Sequence, residues 1–325
     1  MPKFQTPDMR SKPVLVVAGP TASGKSRLAM DAAEALGGVI INADSMQVYR
    51  DLAVLTARPS EAEMARVPHR LYGTLPGSER CSAGRWQALA VAEIEACHAA
   101  GQLPIVVGGT GLYLRALEKG LADLPEVPAA TRAAAEALHG DLGGKGFHAA
   151  LAVRDPAMAA RLRPTDRQRL VRAWEVLEAT GRSLADWQSA GAAAPPAPYG
   201  FCHVICLPPR PALYAVCDVR VLAMMEAGAL EEVRALCALG LDPALPVMKA
   251  LGVTALRRHL AGELSREAAI AAMQQQTRNY AKRQMTWLRT QLLPERPEAM
   301  IVSEQYSESL WAEIFKNIRQ IILTR

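Results

Sequence analysis

The sequence predicts an α/β fold, a parallel sheet flanked by helices, that carries an all-helical insertion. Three observations predict it. Short β-branched runs at Val14–Ala18, Val39–Ile41 and Leu103–Val107 alternate with amphipathic helical stretches. Each run leads straight into a glycine- or aspartate-bearing turn. From about Thr131 the pattern becomes helical, rich in Ala and Arg, and offers no strand.

Taken in order, Val14–Ala18 (VLVVA) has the composition of a strand buried on both faces. It runs into Gly19-Pro20-Thr21-Ala22-Ser23-Gly24-Lys25-Ser26. A helix follows, with Leu28, Ala32, Ala35 and Leu36 on one stripe and Gly37-Gly38 as its stop. Val39–Ile41 is the second strand and ends at Asn42-Ala43-Asp44. Trp86, Leu89, Ala90, Ile94 and Cys97 mark another amphipathic helix, stopped by Gly101. Leu103–Val107 then enters Gly108-Gly109-Thr110-Gly111. Ligands of such sheets collect at the carboxyl ends of the strands, where all three turns lie. Residues 131–195 read as the insertion, closed by the turn-rich stretch 191–198 (GAAAPPAP). Val204–Leu207 returns the chain to the sheet, so residues 1–130 and 196–325 form the core. The core's later part is mostly helical to Arg289, and no acid occurs between Glu267 and Glu295. The last stretch, 301–325, holds an amphipathic helix whose role the sequence does not declare.

The 325 residues are half apolar and 21% charged, which is a globular composition. Lys plus Arg exceeds Asp plus Glu by 37 − 32 = 5, too mild an excess to establish a nucleic-acid partner by itself. No apolar run approaches the ~20 residues that span a bilayer, and Met1–Lys12 is polar. A membrane protein and a secreted one are both disfavoured. Six cysteines form no C-x-x-C pair and read as buried, reduced thiols of a cytoplasmic protein, Cys97 and Cys237 among them on helical stripes. The six histidines show no metal-binding spacing.

Gly19-x4-Gly24-Lys25-Ser26 fits G-x-x-x-x-G-K-[ST], with a strand before it and a helix after it. Chance would supply such a match in a chain this long about once in a hundred. Glycines let backbone N–H groups curl round an anion, and the helix that begins here aims its positive end at the same point. Lys25 adds a point charge, and the Ser26 hydroxyl can join a Mg²⁺ shell. The loop therefore binds a di- or triphosphate. The usual acid at the end of a neighbouring strand is missing, since Leu103–Val107 ends in Gly-Gly-Thr-Gly. Asp44, just past the second strand, faces the loop across the sheet edge. Position alone leaves it a Mg²⁺ ligand, a helix cap or a general base.

GPTASGKS (19–26), DSMQVYR (44–50), VGGTGLY (107–113), QRLVRAWEV (168–176) and TRNYAKRQMTWLR (277–289) together resemble the tRNA dimethylallyltransferases, in order and with similar spacing. The resemblance implies a P-loop kinase-like core with a helical insertion. It implies transfer of a dimethylallyl group from dimethylallyl diphosphate to the exocyclic amine of the adenine just 3′ of the anticodon, with Mg²⁺, by a monomer. It makes residues 19–26 (Gly19, Pro20, Thr21, Ala22, Ser23, Gly24, Lys25, Ser26) the diphosphate cradle and Asp44 the general base, with Thr21 and Arg220 contacting the leaving group. It casts Asp44, Ser45, Met46 and Gln47 as the lining of a pocket for an extruded base. By motif position it also marks Thr110, Arg132, Gln168, Arg169, Leu170, Val171 and Arg172 as tRNA contacts. The chain departs from the family pattern at Leu222, at Ala215-Val216-Cys217 and at Phe147, none of which touches the loop or Asp44.

Charge placement bears on the same partner. Arg161, Arg163, Arg167, Arg169 and Arg172 crowd into twelve residues with Asp166 the only acid among them. On a helix over 166–180, Leu170, Trp174 and Leu177 share one face while Gln168 and Arg172 point away. Arg278, Lys282 and Arg289 fall on a second basic stripe with no acid nearby in sequence. Trp174 and Trp287 read as core residues. Two other classes compete: a small-molecule kinase with an arginine-bearing helical lid, and a non-catalytic RNA-binding ATPase module.

Overall fold

Val14–Ala18 lies inside a six-stranded parallel sheet, and the two periodic faces of that strand define two cores. A computed structural model describes residues 12–122, 124–190 and 199–323. The chain divides into two compact units, Met1–Glu118 with Ala197–Arg325, and Lys119–Pro196.

In the first unit β1 (Lys12–Ala18) is followed by α1 (Lys25–Leu36), β2 (Gly38–Asn42), α2 (Glu61–Arg66), β3 (His69–Arg70), α3 (Ala83–Ala99), β4 (Leu103–Gly108) and α4 (Gly111–Lys119). The second unit contains α5 (Ala129–Arg154), α6 (Pro156–Ala159), α7 (Arg167–Thr180) and α8 (Leu184–Ser189). The first unit resumes with β5 (Tyr199–Cys206), α9 (Arg210–Glu226), α10 (Ala229–Ala238), α11 (Val253–Leu260), α12 (Arg266–Trp287), β6 (Met300–Val302) and α13 (Trp311–Leu323). The strand order is β3-β2-β4-β1-β5-β6, and every pairing is parallel. Parallel strands require crossovers, and the helices that supply them cover both faces.

Alternation assigns the faces. Val14, Val16 and Ala18 of β1 join Ile41 and Val106 in a core with Trp86, Leu114, Val221 and Met273. Leu15 and Val17 turn the other way, towards Ile40, Val107, Leu28 and Ala32 of α1. The helix at the chain's end has a role here: α13 buries Ile314 and Ile318 in that second core. Strand β6 extends the sheet through Val204–Met300 pairing.

The helical region forms its own core around Phe147, Leu151, Leu170 and Val176. Composition changes at Thr131, but Leu124 and Val127 already pack into this core, so the unit starts before its helical pattern does. Asp166 caps α7 by accepting the Arg169 N–H, and Gly181 (φ +67°) ends it. Phe147 is fully buried in the unit's core. The turn-rich stretch 191–198 lies outside the described residues. Cys97, Cys202, Cys206 and Cys217 are buried free thiols, whereas Cys81 is half-buried and Cys237 is exposed. Cys237 therefore corrects the expectation of a buried thiol: α10 turns Val233 and Leu236 inward instead.

Candidate active site at the carboxyl edge of the sheet

Residues 19–24 leave β1 and wind into α1 with two left-handed residues, Ala22 (φ +66°) and Gly24 (φ +85°). Gly24 has a double reason: a Cβ there would also come 2.7 Å from the Tyr306 Cβ. No side chain caps α1 and no acid occupies its first turn, so its N-terminal N–H groups remain available to an anion. The Ser26 hydroxyl is exposed at that turn. Lys25 folds back, its Nζ donating to the Pro20 carbonyl at 3.2 Å. Burial of the ammonium lowers its pKa to about 8, against the pull of Asp44 and with the push of Arg220.

Asp44 is held from both sides. Its N–H donates to Asn42 Oδ1 (2.8 Å), and Asn42 Nδ2 donates to the carbonyls of Asp44 and Leu71 (3.0 Å each). Asp44 Oδ1 in turn accepts the N–H groups of Met46 (2.8 Å) and Gln47 (3.4 Å). The capping role is thus real, and it occupies one carboxylate oxygen. Thr110 Oγ1 accepts the Ser45 N–H at 3.1 Å, with the Tyr280 side chain close by. Burial pushes that Tyr280 hydroxyl's pKa up.

A cleft of about 230 Å³ opens beside these turns, lined by Thr21, Asp44, Ser45 and Met46. Leu55, Met224, Leu251 and Met273 give it an apolar wall, while Arg220, Lys249 and Arg283 bring three cations against one carboxylate. Burial lowers the Arg220 pKa, with Asp44 opposing. That balance favours an anionic guest with an apolar part.

Several expected contacts lie elsewhere. Gln47 is not a wall of the cleft; its amide donates to the carbonyls of Thr56 and Ala57 at 2.9 Å and braces the loop that carries Leu55. In the second unit, Gln168 and Arg169 are exposed as expected. Leu170 and Val171 are 0% and 5% exposed, so both are core residues and not a contact surface. Arg132 and Arg172 converge on the buried Glu175 at 3.3 and 3.2 Å, so an acid that sequence position hides among apolar residues shares their charge. Arg278 likewise pairs with Asp218 of α9, which corrects the expectation of an acid-free stripe, whereas Lys282 and Arg289 are exposed. Trp287 is half-buried and packs on the first core. Leu222 is 46% exposed on α9 and leaves Arg220 in the cleft wall.

Sequence reasoning missed two supporting residues. Asn42 is fully buried, and its only signal was a polar residue closing an apolar strand. Gln284, on α12, accepts the Thr21 N–H at 2.8 Å and donates to the Gly109 carbonyl at 3.0 Å. Among the described residues no group of three His, Cys, Asp or Glu side chains is arranged to hold a metal. Nor is any helix among them long and apolar enough to cross a membrane.

Known proteins share this architecture. The IPP transferase family model matches residues 47–291. A tRNA dimethylallyltransferase of Rhodospirillum centenum is 63% identical over 286 residues, 88% of this chain and 91% of that protein. One from Rhodospirillum rubrum is 53% identical over 314 residues, covering 97% and 96%. Among solved structures, a full-length tRNA isopentenylpyrophosphate transferase from Bacillus halodurans superposes with a TM-score of 0.69 at 30% identity, over 96% of this chain and 97% of that one. A eukaryotic dimethylallyltransferase described as acting on tRNA gives a TM-score of 0.81 at 27% identity, over 97% of this chain and 80% of that one.

Proposed function

The chain belongs to the tRNA dimethylallyltransferase family, and on that premise we propose how its cleft carries out prenyl transfer. The dimethylallyl group passes from dimethylallyl diphosphate to the N6 amine of the adenine 3′-adjacent to the anticodon, and diphosphate is released. The carrying observation is that one cleft joins Asp44 to Thr21 of the phosphate loop and to Arg220.

The chemistry divides between the two ends of that cleft. At the loop, Lys25, the uncapped N–H groups of α1 and Arg220 stabilise charge as the C–O bond to diphosphate breaks. At Asp44, the N–H groups of Met46 and Gln47 pin Oδ1, which leaves Oδ2 for the amine. An aromatic amine has a delocalised lone pair and gains nucleophilicity as its proton leaves. Asp44 accepts that proton while the N–C bond forms. The adenine leaves its stack to reach the carboxylate, and Ser45 and Met46 border the place it enters.

The donor set suits Mg²⁺ held chiefly by substrate: the exposed Ser26 hydroxyl is one oxygen ligand at the mouth of the loop, and a diphosphate brings others. When bound, Mg²⁺ neutralises charge on the departing diphosphate. Exposed Gln168 and Arg169 on the second unit and Lys282 and Arg289 on the first suit contact with tRNA phosphates. We take the working form to be a cytoplasmic monomer. A small-molecule kinase is the disfavoured reading, since the family's named activity is on tRNA.

The test is incubation with dimethylallyl diphosphate, Mg²⁺ and unmodified tRNA, followed by nucleoside mass analysis. A prenyl mass gain on adenosine is expected, and its absence refutes the reading. Asp44→Asn should lower turnover at least a hundredfold, about what loss of a general base costs, with tRNA affinity intact. Normal single-turnover chemistry in that variant would remove Asp44 from the base role.

A further inference from the structure

Gln284 is the polar member of the buried stripe of α12, with Ala281 and Met285 as its buried neighbours. It is 5% exposed, yet both ends of its amide are used. Oε1 accepts the N–H of Thr21 in the phosphate loop, and Nε2 donates to the carbonyl of Gly109 in the turn after β4. Only a side chain that accepts and donates at once satisfies both groups; a carboxylate accepts only, and an ammonium donates only. The fit is close. A Cβ at Gly109 would lie 2.3 Å from Nε2 and 2.6 Å from the Gly19 carbonyl oxygen.

The two turns serve different halves of the cleft. Thr21 belongs to the loop read as the donor's cradle. Gly109 precedes Thr110, whose hydroxyl fixes Ser45 beside Asp44. One helical turn before Gln284, Tyr280 lies close to the same Thr110. A single face of α12 thus touches the donor side and the acceptor side. The Thr21 N–H is spent on Gln284. Its fixed peptide plane sets where the Thr21 side chain enters the cleft.

We propose that Gln284 is a positioning residue for prenyl transfer: its amide locks the phosphate loop in register with the Gly109–Thr110 turn, and so aligns the departing diphosphate with Asp44. This rests on the reading that the loop holds the donor's diphosphate.

The test replaces one atom. Gln284→Glu keeps the acceptor for Thr21 but, when ionised, lacks the donor for Gly109 and sets a negative charge beneath the loop. Near pH 8 its kcat/KM for dimethylallyl diphosphate should fall about tenfold or more, the scale of one or two lost buried hydrogen bonds. Its KM for tRNA should stay within about twofold. Near pH 6 the buried carboxyl takes up a proton, its O–H donates to Gly109, and most of the loss relative to wild type should be recovered. Gln284→Leu, which cannot be rescued by a proton, should show the loss at both pH values. Wild-type values for Gln284→Glu at both pH values, or a loss that persists unchanged at pH 6, overturns the proposal; the pH comparison within one variant separates positioning from general loss of fold. Calorimetry with inorganic diphosphate reads the loop independently of the reaction. Wild type that prenylates tRNA while Gln284→Glu binds diphosphate normally near pH 8 sinks this inference alone. Wild type that fails on tRNA sinks the function.

Discussion

Asp44 shows at a single residue how structural and chemical readings coexist. Its Oδ1 is a cap for the following turn and its other oxygen is the proposed base, so neither reading displaces the other. Lys25 carries a comparable tension. Burial lowers it from 10.5 to about 8, so the fold favours its neutral form while a diphosphate needs its charge. The sign follows. Between about 8 and 10.5 the unfolded chain binds more protons than the folded one at this site, so stability rises with pH across that window. Donor binding runs the opposite way, weakening as Lys25 deprotonates above about 8. We expect kcat/KM for dimethylallyl diphosphate to decline with pH above that value, and Lys25→Met to lose donor affinity while melting at a higher temperature than wild type near pH 7. A flat pH profile with a lower melting temperature in Lys25→Met would contradict this account.

Among the elements, legibility tracked the sequence separation of the deciding contacts. Strands β1 and β4 were readable because both faces of each are buried, which leaves an unbroken β-branched run. Strands β3 and β6, two and three residues long, are too short to display any alternation. The loop and Asp44 could be found because each sits directly after its strand. Gln284 could not, since its partners lie 263 and 175 residues away. Helix α7 was half legible. It packs against both α5 and α8, so Val171 and Glu175 are buried as well as the stripe of Leu170, Ala173 and Val176, and no single dry face exists. Glu175 follows from the same geometry, a buried acid held by Arg132 and Arg172. These arginines should therefore respond differently to truncation. Arg169→Ala, 74% exposed at its side chain, should cut the salt dependence of tRNA binding by about 0.7 to 0.9 of a log unit per log unit and leave melting unchanged. Arg172→Ala should also lower the melting temperature, because Glu175 keeps one partner only. Equal melting temperatures for the two variants would dissociate Glu175 from the unit's stability.

Across the whole molecule, the sheet is closed late in the chain. Strand β6 and helix α13 complete one edge and one face, yet both follow the last motif residue, Arg289. A buried polar cluster ties that final part to the middle of the chain. Glu118, at the end of α4, accepts from Arg296 at 2.7 and 3.1 Å and lies 3.0 Å from His203 Nε2 on β5. Burial alone would raise the Glu118 carboxyl, but His203 and Arg296 outweigh it and hold it below the usual carboxylate range. Its stabilisation is therefore present above that range and is lost as pH falls through the folded-state value. Arg296→Met leaves a carboxylate 3% exposed at its side chain with His203 alone, and should cost about 3 kcal/mol near pH 7, the scale of a broken buried pair. Without the guanidinium the Glu118 pKa rises, so its proton arrives earlier on acidification and the gap from wild type narrows towards pH 4.5. Urea unfolding of both proteins at the two pH values checks this. A gap of the same size at both would mean that the variant fails through lost packing of the arginine stem and not through an uncompensated charge.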